Sequence, residues 1–129
     1  DIIDLIYPAK SLGIPVFVDS KKKDLRNFED CIIKINEKER SLITSFPKKC
    51  ETIVTMGSKG AVWRNKKYLT LRVPVHDVCG AGDVFLAGLV TMYLESQGNM
   101  AKSILFANRC AAASVSRFGT YTIKREDIK

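Results

Sequence analysis

Short apolar runs and helical patterns alternate through the first 56 residues, and this alternation limits the folds open to the chain. PVFV at 15–18, CIIKI at 31–35 and TIVTM at 52–56 have the length and composition of buried strands. Helical spacing covers residues 1–12, ahead of the first run, and 36–46, between the second and third. Buried strands that alternate with helices are typical of a parallel sheet covered by helices. The sequence therefore predicts an α/β fold.

The second half of the chain predicts a hairpin followed by two helices. AVWR and KYLTLRV flank Asn65-Lys66, which favours a small antiparallel hairpin at the sheet edge. A helix is predicted from about Asp83 to Glu95; it is apolar on nearly every face, so we expect it to be buried. Another is predicted from about Met100 to Phe118, ending before Gly119, and its small residues permit close packing.

Composition indicates a globular protein and narrows its partners. The chain has 129 residues, 46% of them apolar, which is enough for one core. It begins with an apolar helical pattern and no methionine, which we interpret as a piece of a longer chain. No stretch approaches the roughly 18 apolar residues that a membrane span needs. Four cysteines without CxxC spacing predict reduced thiols in a cytoplasm.

The net charge of +7 suggests anionic partners. The basic residues are scattered, however, and lack the interleaved aromatic residues of a groove for single-stranded nucleic acid. We therefore expect the lysine runs to be solvated surface and expect no nucleic-acid partner. A phosphorylated small molecule would also suit the excess positive charge.

The stretch DVCGAGDVFLAGL (77–89) places a carboxylate, Asp83, between a glycine turn and an apolar helix. Gly80 and Gly82 permit unusual backbone angles and the close approach of a ligand. If a helix begins at Asp83, the free N–H groups of roughly residues 81–84 and about half a positive charge form an anion site. An acid there is also explained as a plain helix cap, which is the favoured interpretation of an isolated GxGD.

Two other phosphate-binding motifs are excluded. The Walker pattern GxxxxGK[ST] is absent, and the dinucleotide fingerprint requires a third glycine where Phe85 stands. Phosphoryl transfer to an alcohol needs donors arranged around the moving phosphoryl group and a carboxylate that accepts the hydroxyl proton. The turn that ends in Asp83 can supply both.

Four motifs, in order, resemble those of the ribokinase/PfkB family of sugar kinases. DVCGAGDVFLAGL is similar to the signature D-T-x-G-A-G-D, NEKE (36–39) to N-x-x-E, and TMGSKGA (55–61) to T-x-G-x-x-G. FANRCAAASVSRFGT (106–120) is similar to the family's Ala-rich helix that ends in Gly-Thr. The resemblance implies that residues 1–129 are the C-terminal, nucleotide-binding part of a ribokinase-like kinase domain, mostly parallel sheet with flanking helices, without the N-terminal sugar-binding part and lid.

Within the family, the stretch 13–39 and the Ala-rich helix resemble most the kinase domain of the heptose-7-phosphate kinase/ADP-heptose synthases. Ser20 and Ile35 stand where those proteins usually have proline. The resemblance implies an ATP- and Mg²⁺-dependent kinase acting on a phosphorylated heptose. Two alternatives stay open: a kinase for another sugar or a nucleoside, such as fructose or ribose, and a non-catalytic fragment that binds only nucleotide or a partner. A cytoplasmic location and a homodimer formed through the missing lid are further implications.

The resemblance also implies roles at the glycine turn. Asp83 would be the catalytic base, and Gly80, Ala81 and Gly82 would form the anion hole for the γ-phosphate. A monovalent cation such as K⁺ often binds near the anion hole in this family, and Asp77 would contribute to its site.

Further roles implied by the resemblance concern the nucleotide. Asn36 would face its phosphates, and Glu39 would organise Mg²⁺ through water. Other residues would border the nucleotide, the last on the adenine side: Thr55, Gly57, Gly60 and Asn108. Structural alternatives stay open for these positions: a capping box for the first pair, a strand-ending turn for the two glycines and an exposed helical position for the asparagine.

Overall fold

A computed structural model of the chain describes residues 2–75 and 78–116. The elements in chain order are α1 (Ile2–Ser11), β1 (Phe17–Val18), β2 (Ile32–Asn36), α2 (Glu37–Leu42), β3 (Glu51–Thr55), a 3₁₀ turn (Gly57–Lys59), β4 (Ala61–Trp63), β5 (Lys66–Tyr68), α3 (Ala81–Glu95) and α4 (Met100–Val115). The chain divides into two compact units. The first comprises Asp1–Met56 and Val62–Lys66, and the second comprises Gly57–Ala61 and Lys67–Lys129.

The strands form one sheet in the order β1-β2-β3-β4-β5, in which β1, β2 and β3 are parallel neighbours. The register aligns Val18 with Ile33 and Ile33 with Thr52. Ile33, Ile35 and Ile53 have no exposed surface, and each such side chain contributes about 1.5–3 kcal/mol on burial. These parallel β-branched strands confirm the predicted α/β fold.

Helix α1 ends where the sequence predicts. Gly13 has a left-handed φ of 72°, its N–H donates to the Lys10 carbonyl at 3.0 Å, and the Ile14 N–H donates to the Ala9 carbonyl at 2.9 Å. This pair of bonds is a Schellman motif, which satisfies carbonyls at the helix end and favours glycine at the left-handed position.

Helix α2 is shorter than the predicted helix 36–46. Ile43 is extended, with φ −73° and ψ 128°, so the helix stops before it. The next residue, Thr44, donates its N–H to the Lys23 carbonyl at 2.8 Å and its hydroxyl to the same oxygen at 3.2 Å. Hydrogen bonds to a segment about twenty residues earlier thus replace the last predicted helical turn. No local sequence pattern indicates this replacement.

The hairpin turn lies one residue earlier than predicted, at Arg64-Asn65 rather than Asn65-Lys66. Their φ angles of 51° and 62° are those that a two-residue type I′ turn needs between antiparallel strands. Trp63 and Arg64 both donate hydrogen bonds to the Glu51 carboxylate, which ties β4 and its turn to the start of β3.

Helices α3 and α4 pack closely against each other. At Gly88 a Cβ atom would lie 2.9 Å from the Cys110 sulfur, so glycine is needed for this approach. Only Phe85, Gly88 and Leu89 of α3 are buried, and Leu94 is 61% exposed. The prediction that α3 is buried holds for one face only, since a helix packed on one neighbour buries the face that contacts it. The predicted end of α4 at Phe118 lies outside the described residues.

No helix within residues 2–75 and 78–116 combines the length and the apolar character needed to cross a membrane.

Candidate functional site

The glycine turn forms the N-terminus of α3. Gly80 is the N-cap residue, with a left-handed φ of 77°, and has no side chain to cap the helix. The Val84 N–H makes the first helical bond, to the Gly80 carbonyl at 3.0 Å, while the Ala81 N–H donates to the Val78 carbonyl at 3.2 Å. The N–H groups of Gly82 and Asp83 therefore lie in the first turn of α3, before its first helical hydrogen bond. Of the N–H groups at 81–84 that were predicted to form the anion site, those of Gly82 and Asp83 remain as candidate donors.

Asp83 is the third residue of α3 and is exposed. Because Gly80 occupies the N-cap position, Asp83 is not the plain helix cap that the sequence alone left open. A carboxylate in the first turn interacts favourably with the positive end of the helix dipole. Because Asp83 is exposed, its carboxylate stays hydrated at the same time. The turn thus combines amide donors with an accessible carboxylate.

Three predicted nucleotide residues meet at the carboxyl ends of β2 and β3. The Glu39 N–H donates to Asn36 Oδ1 at 2.7 Å, and the Asn36 N–H donates to Glu39 Oε2 at 2.9 Å, which is a complete capping box. Thr55 pairs with Asn36 in the parallel register. The capping box, which was the structural alternative for Asn36 and Glu39, is therefore present. It engages one oxygen of each side chain and does not use Asn36 Nδ2 or Glu39 Oε1.

A cleft of about 310 Å³ lies beside this capping box and is hereafter called the basic cleft. Its walls combine four lysines with the capping box and one apolar side chain: Lys21, Lys22, Lys23, Lys38, Asn36, Glu39 and Leu42. Four ammonium groups against one carboxylate give the lining a formal charge of +3 (4 − 1). From the sequence, Lys21, Lys22 and Lys23 were expected to be solvated surface. The available signal was their position directly after β1, whose carboxyl end lies next to that of β2 in a parallel sheet.

An ion pair joins a buried lysine of β2 to the partly exposed aspartate that follows β1. Lys34, two residues before Asn36, has a side chain only 6% exposed, and its Nζ lies 3.3 Å from Asp19 Oδ2. Asp19 immediately precedes Ser20 and the lysine run. The sequence analysis missed this pair because the lysine sits inside an apolar strand pattern.

The remaining predicted nucleotide residues have structural partners of their own. Gly60 has φ 93°, and a Cβ atom there would lie 2.0 Å from the Tyr68 carbonyl oxygen. Asn108 is 4% exposed rather than exposed, and its Nδ2 donates to the carbonyls of Tyr68 and Leu69 at 3.0 and 3.4 Å. Gly57 starts the 3₁₀ turn with φ 56°. A role for these residues beside the nucleotide stays a prediction.

The predicted residues fall into both units. Asn36, Glu39 and Thr55 belong to the first, whereas the glycine turn with Asp83, the glycines of the 3₁₀ turn and Asn108 belong to the second. Asp77, predicted to contribute to a cation site, lies outside the described residues. Within the described ranges, no group of three or more His, Cys, Asp or Glu side chains is placed to hold a metal ion.

Comparison with known proteins identifies the family of the chain. Residues 5–127 match the model of the pfkB family carbohydrate kinases. Among curated proteins, the bifunctional protein HldE of Shewanella piezotolerans is 27% identical over 95% of this chain, and that of a Nitratiruptor species is 32% identical over 91%. In each case the chain spans only 30% of the relative's length.

Two solved structures show the same fold. Ribokinase of Arabidopsis thaliana complexed with ribose and ATP aligns with a TM-score of 0.76 and 22% identity, covering 92% of this chain and 46% of the enzyme. Phosphofructokinase-2 of Escherichia coli in complex with potassium aligns with a TM-score of 0.82 and 21% identity, covering 98% and 49%. The fold is ribokinase-like, and the chain belongs to the pfkB family of carbohydrate kinases.

Proposed function

We propose that this chain is the nucleotide-binding part of a kinase that transfers the γ-phosphate of ATP to a sugar hydroxyl. The observation that carries the proposal is the start of α3. A left-handed glycine, two N–H groups of the first helical turn and the exposed Asp83 carboxylate lie there within four residues. We further propose that the sugar-contacting part and the lid lie outside this chain, which spans only 30% of the length of its HldE relatives.

The chemistry assigned to this turn is proton acceptance beside an anion hole. The Asp83 carboxylate takes the proton of the acceptor hydroxyl. The amides of Gly82 and Asp83 and the helix dipole stabilise the charge that spreads over the transferred phosphoryl group. Gly80 and Ala81 shape the approach, since the left-handed glycine carries no side chain over the turn.

The donor set of the basic cleft fits the polyphosphate of a nucleotide and a hydrated Mg²⁺ ion. Four lysines match the negative charge of phosphates, and Glu39 Oε1 remains outside the capping box. Mg²⁺ keeps several waters and takes one or two carboxylates together with substrate phosphates, so it does not need a cluster of three protein ligands. When bound, it neutralises charge on the phosphates. A K⁺ site that includes Asp77 is proposed on the family resemblance, and the potassium complex of phosphofructokinase-2 supports it.

We propose a phosphorylated heptose as the acceptor. The support is the resemblance of residues 13–39 and of the Ala-rich helix to the heptose kinases, together with HldE relatives that align along nearly the whole chain. Structural neighbours complexed with ribose and with inosine keep other sugars and nucleosides as the alternative. A panel of acceptors assayed with the complete protein separates them: preference for an unphosphorylated hexose would reject the heptose.

The test of the kinase proposal is Asp83→Asn in the complete protein. We expect kcat to fall by roughly 10² to 10⁴, the usual contribution of general-base catalysis, because an amide cannot accept the proton. Asp4→Asn is the matched control, since Asp4 is also an exposed acid in the first turn of a helix. Near-wild-type turnover of Asp83→Asn, or an equal loss in the control, would overturn the assignment.

Nucleotide binding by this chain, as distinct from a purely structural role, is tested on the chain alone by thermal unfolding with ATP. Binding to the folded state raises the melting temperature, since a ligand at 100 times its Kd adds about 2.7 kcal/mol. No stabilisation at millimolar ATP would favour a purely structural role, or a fragment that cannot hold its nucleotide site open.

A further inference from the structure

Two cysteines, Cys31 and Cys50, immediately precede the neighbouring strands β2 and β3. The parallel register pairs Ile32 with Glu51, so the preceding residues, Cys31 and Cys50, are the next neighbours across the two strands. The Glu51 N–H donates to the Cys31 carbonyl at 3.1 Å, which holds the strands together at this point. Neighbouring strands lie about 4.8 Å apart, and a disulfide requires Cα atoms roughly 4.4–6.8 Å apart. The backbone separation therefore suits a disulfide.

Both side chains lie on the same face of the sheet. Cys31 shares its face with Ile33 and Ile35, and Cys50 shares its face with Val54, which pairs with Ile35 in the register. Cys31 belongs to the buried hydrophobic cluster on that face, and Cys50 packs against the same cluster. The two thiols are thus directed to one side of the strand pair.

The two thiols differ in exposure. Cys31 is 1% exposed, whereas Cys50 is partly exposed. Burial raises the pKa of the Cys31 thiol, the charges of Asp30 and Cys50 raise it further, and Lys10 opposes them. Solvent oxidants reach Cys50 first, and Cys31 is the neighbour that can attack it next.

We propose that Cys31 and Cys50 are a redox-active pair that hydrogen peroxide converts into an intramolecular disulfide. The Cys50 thiolate attacks one peroxide oxygen, the O–O bond breaks, and the departing hydroxide takes a proton to give water and a sulfenic acid at Cys50. The Cys31 sulfur then attacks the Cys50 sulfur, the S–O bond breaks, and a second water leaves with the Cys31 proton. Two thiols lose two electrons in total, and one peroxide is reduced to two waters.

The disulfide would join β2 and β3 at the end opposite Asn36 and Thr55. It is a modification site separate from the proposed kinase chemistry and does not depend on it. Its failure would leave the kinase proposal untouched, because the experiment measures thiols and not turnover.

The experiment uses the full chain carrying Cys79→Ser, which removes the exposed thiol that would join two molecules. The protein is treated with increasing hydrogen peroxide, denatured, alkylated and weighed by mass spectrometry. We expect the loss of two hydrogen atoms, one remaining alkylated cysteine at Cys110, and a peptide link between Cys31 and Cys50 that dithiothreitol reverses. Cys31→Ala and Cys50→Ala, each in the same background, are expected to abolish the link.

Several results would overturn the proposal. These are persistence of both free thiols at high peroxide, conversion of Cys50 to a sulfinic acid without a link, or a link that involves Cys110. If one alanine variant does not fold, the other still provides the control, since each lacks one sulfur of the pair.

Discussion

Replacing Asp19 by asparagine removes the charge partner of the buried Lys34 ammonium. The Lys34 side chain is 6% exposed, and its Nζ lies 3.3 Å from Asp19 Oδ2. At that distance and an effective dielectric constant near 20, the attraction is about 5 kcal/mol. Dehydration of the two groups offsets part of it, but the variant loses the attraction and keeps the buried ammonium. We therefore expect Asp19→Asn to lower the free energy of unfolding by about 3 kcal/mol.

The matched control is Lys34→Met, which removes the buried charge and keeps a side chain of similar length. The Asp19 that remains is 27% exposed and can be hydrated. We expect this variant to cost about 1 kcal/mol or less, since replacing a buried charge by an apolar group is often close to neutral. The double variant should resemble Lys34→Met, because asparagine then has no unpaired ammonium beside it.

Urea unfolding followed by circular dichroism measures both effects on the same chain, with equal denaturant slopes as the check on two-state behaviour. The reasoning is refuted if Asp19→Asn stays within about 0.5 kcal/mol of the parent, the range of an ordinary surface substitution. It is also refuted if Lys34→Met costs as much as Asp19→Asn, because the lysine would then stabilise the fold by packing rather than by charge.

Two further predictions concern backbone fit and pH. Gly60→Ala places a Cβ 2.0 Å from the Tyr68 carbonyl oxygen at φ 93°, so we expect it to cost at least about 3 kcal/mol in urea unfolding. Gly57→Ala, at φ 56° with open space, should cost only about 1 kcal/mol, and equal costs would contradict the argument. The hydrogen bond from Arg26 lowers the pKa of Asp24 to about 2, so the stabilisation from this pair is complete above the unfolded value of about 3.9 and is lost as the pH falls towards 2. In Arg26→Leu the NMR titration midpoint of Asp24 should move up towards about 3.9, and an unchanged midpoint would exclude Arg26 as the cause.

The sequence predicted those parts of the fold whose determinants are local. The apolar runs CIIKI and TIVTM matched β2 and β3 within one residue, because β-branched composition favours an extended chain. Gly13 marked the end of α1 since the left-handed position after a helix favours glycine. The predicted end of α2 was wrong because the helix end is determined by the hydrogen bond from the Thr44 N–H to the Lys23 carbonyl, a contact between distant parts of the sequence.

The candidate site shows the same division. The glycines before Asp83 predicted a helix that begins at about Asp83. In the structure the helix begins at Ala81, and Gly80 is its N-cap residue. The basic cleft was missed because the position of the lysine run after β1 indicates a site only when the neighbouring strand is known, and the sheet order makes β2 that neighbour. Lys34 was missed since an apolar strand pattern does not indicate that Asp19 follows the neighbouring strand β1.

The capping box at the start of α2 shows why a structural and a functional explanation of the same residues do not compete. The box uses Asn36 Oδ1 and Glu39 Oε2, and the hydrogen bonds hold both side chains in fixed rotamers beside the basic cleft. Asn36 Nδ2 and Glu39 Oε1 take no part in it. A side chain already held in place loses less conformational entropy when it binds a ligand. The cap therefore stabilises the helix and also prepares the unused atoms of both residues for the nucleotide phosphates and Mg²⁺ of the proposed reaction.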